Sequence, residues 1–364
     1  MTKKPLISVS QLFCMLFISR MVVNLTYNPL LSGGDSMWDH IVSAGISFVL
    51  IFVLFIPIYW LYSRRPGLNL IDDAYFLLGR FGAVVGVVYG LYYLLVCCYT
   101  LSLYDLFVSN VMNPRTSLLL LSIAVALSAC YGAFKGIEAL ARTSGIIFFL
   151  ILASMVFLIC ALVSEVNPIN FTPVFYDGPE QSVKGVLLML GRSSCLPALA
   201  VLMPLAKGNL KKGFITWNTC VYASIALVIT VVVGALGDYL KTQMFPIYAA
   251  ANVAQLGVFQ RMDALYIGIW TMGLFVKISL FLYLFSLSIK RLVGEKAARV
   301  SILLGAAVVV AVSLTAVEVR AVSRFLYNLY FIFGCTMVVT LVIPILLLIL
   351  DFIRGGKERK AHEA

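Results

Sequence analysis

The sequence predicts an all-α integral membrane protein, and three observations support this fold class. Hydrophobic residues make up 62% of the 364-residue chain and charged residues only 12%, whereas soluble domains carry about 25% charged residues. The apolar residues form long continuous runs, which excludes a membrane β-barrel of short alternating strands. Few residues lie outside these runs, so we expect a single transmembrane domain over residues 1–364.

Ten runs are long enough to cross a bilayer, which takes about 20 mostly apolar residues per helix. They cover residues 8–31, 38–62, 80–109, 116–134, 142–165, 184–206, 213–239, 263–292, 300–317 and 325–353. The boundary between the fourth and fifth runs is the least sharp, because Gly132 and Gly136 lie close to it. Residues 354–364 form the expected cytoplasmic tail.

The distribution of positive charge predicts that both termini are cytoplasmic. When the N-terminus is placed in the cytoplasm and the spans alternate, 18 of the 27 Lys and Arg residues fall in inner segments. Only 6 fall in outer segments, which agrees with the positive-inside rule. Basic clusters beside the inner leaflet attract anionic lipid headgroups. The lipid bilayer, and not a nucleic acid, is therefore the expected partner of this charge.

Two of the ten runs are interrupted by polar and helix-breaking residues, and they lie about half the chain apart. The first run contains Arg20, Asn24, Asn28 and Pro29. The sixth run contains Gly191, Arg192, Ser193, Ser194 and Pro197. Each run begins a unit of five spans, repeat one over about 8–165 and repeat two over about 184–353. Because an odd number of spans inverts the second unit, the pattern predicts a 5+5 inverted repeat with discontinuous helices 1 and 6. Such folds bind ligands near the midplane, between the broken helices.

Three cations lie deep within the spans: Arg20, Arg192 and Lys277. A charge at the membrane centre costs about 2.5–3.5 kcal/mol and normally requires a partner. Only one acid, Asp105, lies inside a span and not within three residues of its end, which argues against a proton relay of buried carboxylates. The surplus positive charge indicates an anionic ligand group such as a carboxylate, which suits the planar fork of Arg and the free N–H groups of a broken helix.

The sequence also allows structural roles for two of these cations. Arg20 could brace unwound backbone carbonyls. Lys277 could serve as a strut that bonds carbonyls of the first span, or its fixed ammonium could stand in for a coupling cation. Tyr99 and its neighbours Tyr92, Tyr93 and Tyr104 are candidates to line the cavity.

No catalytic or cofactor-binding pattern is present in the sequence. The eight Cys lie within or at the ends of spans without a spacing that suggests a disulfide framework or a metal site. The spans contain no nucleophile–base pair, so we expect neither an enzyme nor a cofactor. The segment 241–262 is mostly apolar, and we expect either a short helix or gate packed on the membrane face, or an ordered outer loop.

The eighth span and the segment before it carry a family resemblance. The residues concerned are Phe245, Pro246, Phe259, Gln260, Arg261, Met262, Asp263, Ala264, Leu265, Trp270, Phe275, Val276, Lys277, Ile278, Ser279 and Tyr283. Further matches are Gln11, Leu12, Phe13, Pro29, Asn167, Thr172, Pro173, Val174, Gly178, Lys184, Gly185 and Pro204. In these residues, and in length and span count, the chain resembles the B subunit of Ger-type spore germinant receptors. These endospore germination permeases form a branch of the amino acid–polyamine–organocation transporter superfamily.

The resemblance implies a ten-helix core like that of leucine-type transporters. It implies residence in the inner membrane of a spore and assembly with an A subunit and a lipoprotein C subunit. It also implies that the chain is the receptor for a small nutrient, often an amino acid.

The chain departs from the family pattern at the expected pocket. The resemblance implies a Gly-Thr-Gly-like stretch at the positions of Val22, Val23 and Asn24, a Glu near Cys195 and a Glu at the position of Gln260. We therefore expect the pocket to be where this protein differs from its relatives. The candidate ligand-binding residues are Arg20, Val22, Val23, Asn24, Gly191, Arg192, Ser193, Ser194 and Cys195. Candidates for gating or structural roles are Tyr99, Asp105 and Lys277. A nutrient-sensing receptor subunit, an amino acid permease and a structural subunit with a degenerate pocket all remain open.

Overall fold

The computed structural model describes residues 6–25, 37–112, 117–171, 179–254 and 263–362. These residues form two very short strands and fourteen α-helices. In chain order the elements are β1 (Ile7–Ser8), α1 (Val9–Leu25), α2 (Met37–Arg64), α3 (Leu70–Leu78), α4 (Gly82–Phe107), α5 (Leu118–Leu162), α6 (Pro179–Gly191), α7 (Cys195–Leu202), β2 (Ala206–Lys207), α8 (Leu210–Leu236), α9 (Pro246–Val253), α10 (Asp263–Leu292), α11 (Glu295–Glu318), α12 (Arg320–Leu326), α13 (Leu329–Met337) and α14 (Ile343–His362). Wider helical turns extend α4 over Val108–Met112 and join α13 to α14 over Val338–Val342.

The length and hydropathy of the helices agree with a multi-pass membrane protein. Within the described ranges, 8 segments are long and apolar enough to cross a membrane. One of them, Leu118–Glu165, has 48 residues and turns at Gly136, whose φ of 85° and ψ of 175° are not helical. A positive φ is readily available only to glycine, so this residue marks the boundary between the predicted fourth and fifth spans. Together with the shorter α1, the arrangement is consistent with ten spans.

The two interrupted spans differ in where the helix stops. In the sixth span α6 ends at Gly191 and α7 begins at Cys195, so the predicted interruption lies between them. In the first span α1 remains helical through Arg20 and Asn24. Any interruption there begins after Leu25, and Asn28 and Pro29, on which the prediction also rested, lie outside the described residues.

A parallel pair of two-residue strands joins these two spans at one end of the bundle. Ile7 pairs with Ala206 and Ser8 with Lys207, and the Leu6 amide donates to the Leu205 carbonyl at 2.9 Å. The start of the first span and the end of the sixth therefore lie side by side. We call this the strand end of the molecule.

Helix α3 and its ion pairs lie at the same end and were not predicted, because nine residues are too few to form a span. The Asn69 side chain caps α3 by accepting from the Asp72 amide at 2.8 Å. Asp73 pairs with Arg65. The remaining ion pairs of this group join Asp72 to Arg291 at 3.1 Å, Asp351 to Arg64 at 2.6 Å, and Asp351 to Arg65. These pairs connect the ends of α2 and α10 and the helix α14 across α3.

Val22 of the first span packs against Gly273 of the eighth span. A Cβ atom added at Gly273 would lie 2.3 Å from Val22 Cγ2, and Val22 is buried. The valine side chain therefore fills the space that the missing side chain of α10 leaves. Glycine at such a position lets two membrane helices approach closely.

This contact predicts a difference between two glycines of the same helix. Gly273→Ala should destabilise the protein by about 1–3 kcal/mol, because the added methyl group overpacks a filled contact. Gly268→Ala is the matched control, since nothing lies within 4 Å of a Cβ added at Gly268, and it should be neutral or slightly stabilising. Thermal unfolding of the purified variants measures both. In the Gly273→Ala background, Val22→Ala should restore part of the loss; equal stability of the two single variants would contradict the contact.

Candidate ligand-binding site

The interruption of the sixth span has a local cause in hydrogen bonding. In a continuous helix the Met189 carbonyl would accept from the Ser193 amide, but that amide donates instead to the Leu190 carbonyl at 3.0 Å. The freed Met189 carbonyl accepts from the Ser193 hydroxyl at 2.8 Å and from Arg20 Nη2 at 3.0 Å. Pro197 adds to the break, because its ring would clash with the Ser193 carbonyl in a continuous helix.

Gly191 allows the tenth span to approach the interruption closely. A Cβ atom added there would lie 3.1 Å from the backbone of Phe333 in α13. The Thr336 hydroxyl, one turn further along α13, donates to the Gly191 carbonyl at 2.6 Å. The same hydroxyl lies 3.2 Å from the Tyr92 hydroxyl of α4. The end of α6 is therefore held by side chains of the third and tenth spans.

Arg192 lies in the interruption and forms part of the wall of two cavities. Its side chain is 8% exposed, and its guanidinium carbon lies 5.7 Å from the centroid of the Tyr99 ring. A guanidinium over an aromatic face is an attractive arrangement. The aromatic ring thus fixes one face of Arg192, while its Nε has no hydrogen-bond partner in the described part of the chain.

The Lys277 cavity, of about 30 Å³, lies among the first, third, sixth, eighth and tenth spans. It is lined by Val23, Tyr92, Leu95, Val96, Tyr99, Gly191, Arg192, Ser194, Lys277, Ile332 and Thr336. The Arg20 cavity, of about 50 Å³, lies mainly between α1, α6 and α8. It is lined by Arg20, Met21, Val23, Asn24, His40, Gly185, Leu188, Met189, Arg192, Ile225, Val228, Ile229, Val232, Val233, Leu240 and Ile247.

The electrostatic character of this region is strongly positive. Arg20 is 3% and Lys277 2% exposed, and the electrostatic neighbours of Lys277 include both Arg20 and Arg192. Among the described residues, none of the three cations forms an ion pair. The buried acids of the described chain interact with other residues. Asp73 pairs with Arg65, and Asp105 accepts hydrogen bonds from Ser122 and Ser313. Within the described residues, these three cations therefore have no acidic partner, as inferred from the sequence.

The structure brings some of the candidate residues to the cavities and directs others away from them. Val23, Gly191, Arg192, Ser194, Tyr99 and Lys277 line the Lys277 cavity, and Arg20 and Asn24 line the Arg20 cavity. Val22 instead packs on Gly273. The Ser193 hydroxyl bonds the Met189 carbonyl, and the Cys195 thiol donates to the Leu16 carbonyl at 3.4 Å.

Two structural roles weighed from the sequence have different outcomes. Arg20 does brace an unwound carbonyl, that of Met189. For Lys277, no hydrogen bond joins its ammonium to a carbonyl of α1 in the described chain, and residues 26–31 of the predicted first span lie outside the described residues, so its role as a strut stays a prediction. The Cys195 thiol makes that kind of contact, with the Leu16 carbonyl.

Some lining residues were not anticipated from the sequence. Thr336 contacts both Gly191 and Tyr92, yet a single threonine in an apolar run carries no distinguishing signal. His40 lies in the first turn of α2 and lines the Arg20 cavity. Within the described ranges, no group of three or more His, Cys, Asp or Glu could hold a metal ion.

The comparison with protein families agrees with this architecture. The family model described as spore germination protein, a spore permease, matches residues 6–320. The chain belongs to the spore germination protein family. No curated protein matches it in sequence.

This spore germination permease is similar in structure to a sodium-coupled sialic acid symporter, solved in a substrate-bound, outward-open state. The two share 13% sequence identity and superpose with a TM-score of 0.65, over 92% of this chain and 79% of the symporter chain. At this level of identity the match shows the fold alone. That fold is the leucine-transporter-like one that the family resemblance implied.

The hydrogen bonds of Asp105 in this permease predict an effect on stability that can be separated from ligand binding. Its Oδ2 accepts from Ser122 of α5 at 2.8 Å and from Ser313 of α11, so it ties three helices together. Ser313→Ala should cost about 1–3 kcal/mol of stability, because a buried carboxylate loses a donor. Ser128→Ala, which removes an exposed hydroxyl that bonds only the Ala124 carbonyl, is the control. Thermal unfolding gives the comparison, and similar losses in both variants would refute the role of Asp105.

Proposed function

We propose that this permease is the membrane subunit of a nutrient germinant receptor, and that it binds a small amino-acid-like nutrient in the Lys277 cavity. The observation that carries the proposal is that Arg192 and Lys277 line one cavity without any carboxylate partner among the described residues. In this assignment the missing anion is the carboxylate of the nutrient. Binding at this position triggers spore germination.

The chemistry of the cavity suits a carboxylate in three respects. The planar guanidinium of Arg192 can donate two parallel hydrogen bonds to it. The ammonium of Lys277 supplies a second positive charge. The Ser194 hydroxyl, which has no hydrogen-bond partner in the described chain, supplies a further donor. A buried anion with several donors compensates buried cations that would otherwise be costly.

The size of the cavity supports sensing by a change of conformation. Its volume of about 30 Å³ is far below the roughly 300–1,000 Å³ of small-molecule sites. A nutrient can enter only if lining groups such as Tyr99 and Thr336 move apart. The bound state would therefore differ from the closed one, and the nutrient shifts the equilibrium by its differential affinity for the two states.

A second candidate function, amino acid transport, is supported by a larger cavity at the strand end. This cavity, of about 690 Å³, is lined in part by Val201, Pro204, Tyr283 and Leu287, which belong to the same two spans as Ser194 and Lys277. Tyr93 of α4 contacts the sixth span between Ser194 and Val201, because its hydroxyl donates to the Pro197 carbonyl at 2.9 Å. Opening of this contact would connect the Lys277 cavity with the strand end. Uptake of labelled amino acid into proteoliposomes would favour transport over sensing alone.

The cellular setting follows from the same proposal. We place the protein in the spore inner membrane, with both termini cytoplasmic, in a complex with an A subunit and a lipoprotein C subunit. Support for the orientation comes from the strand end, where Arg64, Arg65, Lys207, Lys290 and Arg291 gather beside the N-terminal strand. Positive charge concentrates on the cytoplasmic side of membrane proteins. A reporter fused to either terminus tests the orientation.

Ligand binding tests the proposed function. The purified full-length protein should be stabilised against thermal unfolding by one or more members of a panel of amino acids, sugars and nucleosides. An effective amino acid should lose its effect when its carboxylate is replaced by hydrogen or an amide. Lys277→Met should weaken binding at least about 30-fold, because truncating one partner of a buried charge pair costs 2–5 kcal/mol. The exposed Lys296→Met is the control.

Two outcomes of this test would count against the receptor role. Retention of full affinity by Lys277→Met and by Ser194→Ala would remove the Lys277 cavity from consideration. Spores that carry Lys277→Met and germinate normally with every nutrient would leave a structural subunit with a degenerate pocket.

Nutrient binding should also be independent of sodium. Lys277 and Arg192 place fixed positive charge where a coupling cation would have to bind close to the ligand, and like charges repel strongly at low dielectric. The dissociation constant measured in sodium should therefore equal that in N-methylglucamine, at constant chloride. A tenfold or larger gain in affinity on adding sodium would show that a cation site exists and that this reasoning fails.

A further inference from the structure

The Arg20 cavity is distinct from the proposed nutrient site and contains two incompletely paired cations. Arg20 Nη1 and Arg192 Nε each lack a hydrogen-bond partner in the described part of the chain. Both side chains are more than nine-tenths buried and both line this cavity. Arg20 Nη2 is occupied by the Met189 carbonyl, so only part of its hydrogen-bonding capacity is used.

These unpaired nitrogens require an explanation, because a buried N–H group without an acceptor is costly. Arginine cannot relieve this cost by losing its proton. Among the described residues, no Asp or Glu forms an ion pair with either guanidinium. A neutral acceptor would satisfy the hydrogen bonds but not the charge. An anion inside the cavity would satisfy both.

We propose that the Arg20 cavity binds a small monovalent inorganic anion of the halide class, held by the guanidiniums of Arg20 and Arg192. The cavity volume of about 50 Å³ admits a halide but not a nutrient of amino acid size. Apart from the two arginines, Asn24 and His40, its wall is formed by apolar side chains and by Gly185. A singly charged, weakly hydrated ion is desolvated in such surroundings at the least cost, and guanidinium is itself a weakly hydrated cation. Phosphate or sulfate would need more donors than this wall offers.

The bound anion has a defined electrostatic effect. Arg20 and Arg192 carry two positive charges that repel one another at low dielectric, and Lys277 lies among their electrostatic neighbours. One halide reduces this repulsion without occupying the Lys277 cavity. It also holds Arg192, which lines both cavities, from within the Arg20 cavity. The anion therefore stabilises the closed arrangement before any nutrient is present.

Thermal unfolding of the purified full-length protein tests the proposal without any organic ligand. Potassium gluconate is replaced stepwise by potassium chloride at constant ionic strength, because gluconate is too large for the cavity and screening then stays constant. The unfolding temperature should rise saturably, by roughly 2–4 °C. Bromide should act in the same way. Equal unfolding temperatures in chloride and gluconate would overturn the proposal.

Two variants assign the effect to this cavity. Arg20→Met should abolish the chloride-dependent shift, whatever its effect on stability in gluconate. Val228→Phe fills the cavity from α8 and leaves both arginines in place, so it should abolish the shift even if Arg20→Met does not fold. Arg80→Met, at an exposed arginine outside both cavities, should keep the full shift. A chloride effect that persists in Val228→Phe would show that the anion binds elsewhere and would refute the site. Since no nutrient is added, the result does not depend on the role of the Lys277 cavity.

Discussion

The hydrogen bond from the Arg20 guanidinium to the Met189 carbonyl connects the first span to the interruption of the sixth. A carbonyl that leaves the helical pattern at membrane depth must find another donor, because no bulk water is available there. Arg20 and the Ser193 hydroxyl supply these donors. The interruption they permit places Arg192 and Ser194 beside the Lys277 cavity. The proposed chemistry of the site therefore depends on a cation whose main contact is with the backbone.

Val22 and Val23 stand where the resemblance implied a Gly-Thr-Gly-like stretch, and the two valines have separate consequences. The sequence suggested that Val22 and Val23 would both alter the pocket. Val22 points its side chain into the space beside Gly273 of α10, so the glycine needed for close helix approach is on the partner helix. Only Val23 lines the cavities. Val22 thus contributes to a contact between two helices, and Val23 contributes to the walls of the cavities.

The sequence predicted the interruption of the sixth span because its causes are local. Gly191, Ser193 and Pro197 each disfavour a continuous helix through their own backbone or side-chain chemistry. Membrane-spanning helices were equally accessible, since hydrophobic length determines them. In contrast, Thr336 contacts Gly191 across a sequence separation of 145 residues, and nothing in its local sequence marks this contact. Helix α3 was missed because its stability comes from buried contacts and ion pairs with distant residues, not from a long apolar run.

Arg192 lines both cavities, so the two proposed ligands would share one guanidinium. If a nutrient carboxylate in the Lys277 cavity draws the guanidinium toward Tyr99, its contact with an anion in the Arg20 cavity weakens. If each ligand instead uses a different N–H edge of the same planar group, each lowers the repulsion that the other must overcome. Thermodynamic linkage requires that the effect of the anion on nutrient affinity equal the effect of the nutrient on anion affinity. The planar fork of arginine permits the second arrangement, because its five N–H donors face several directions. A lysine at the same position would present a single point charge and could not serve both cavities in this way.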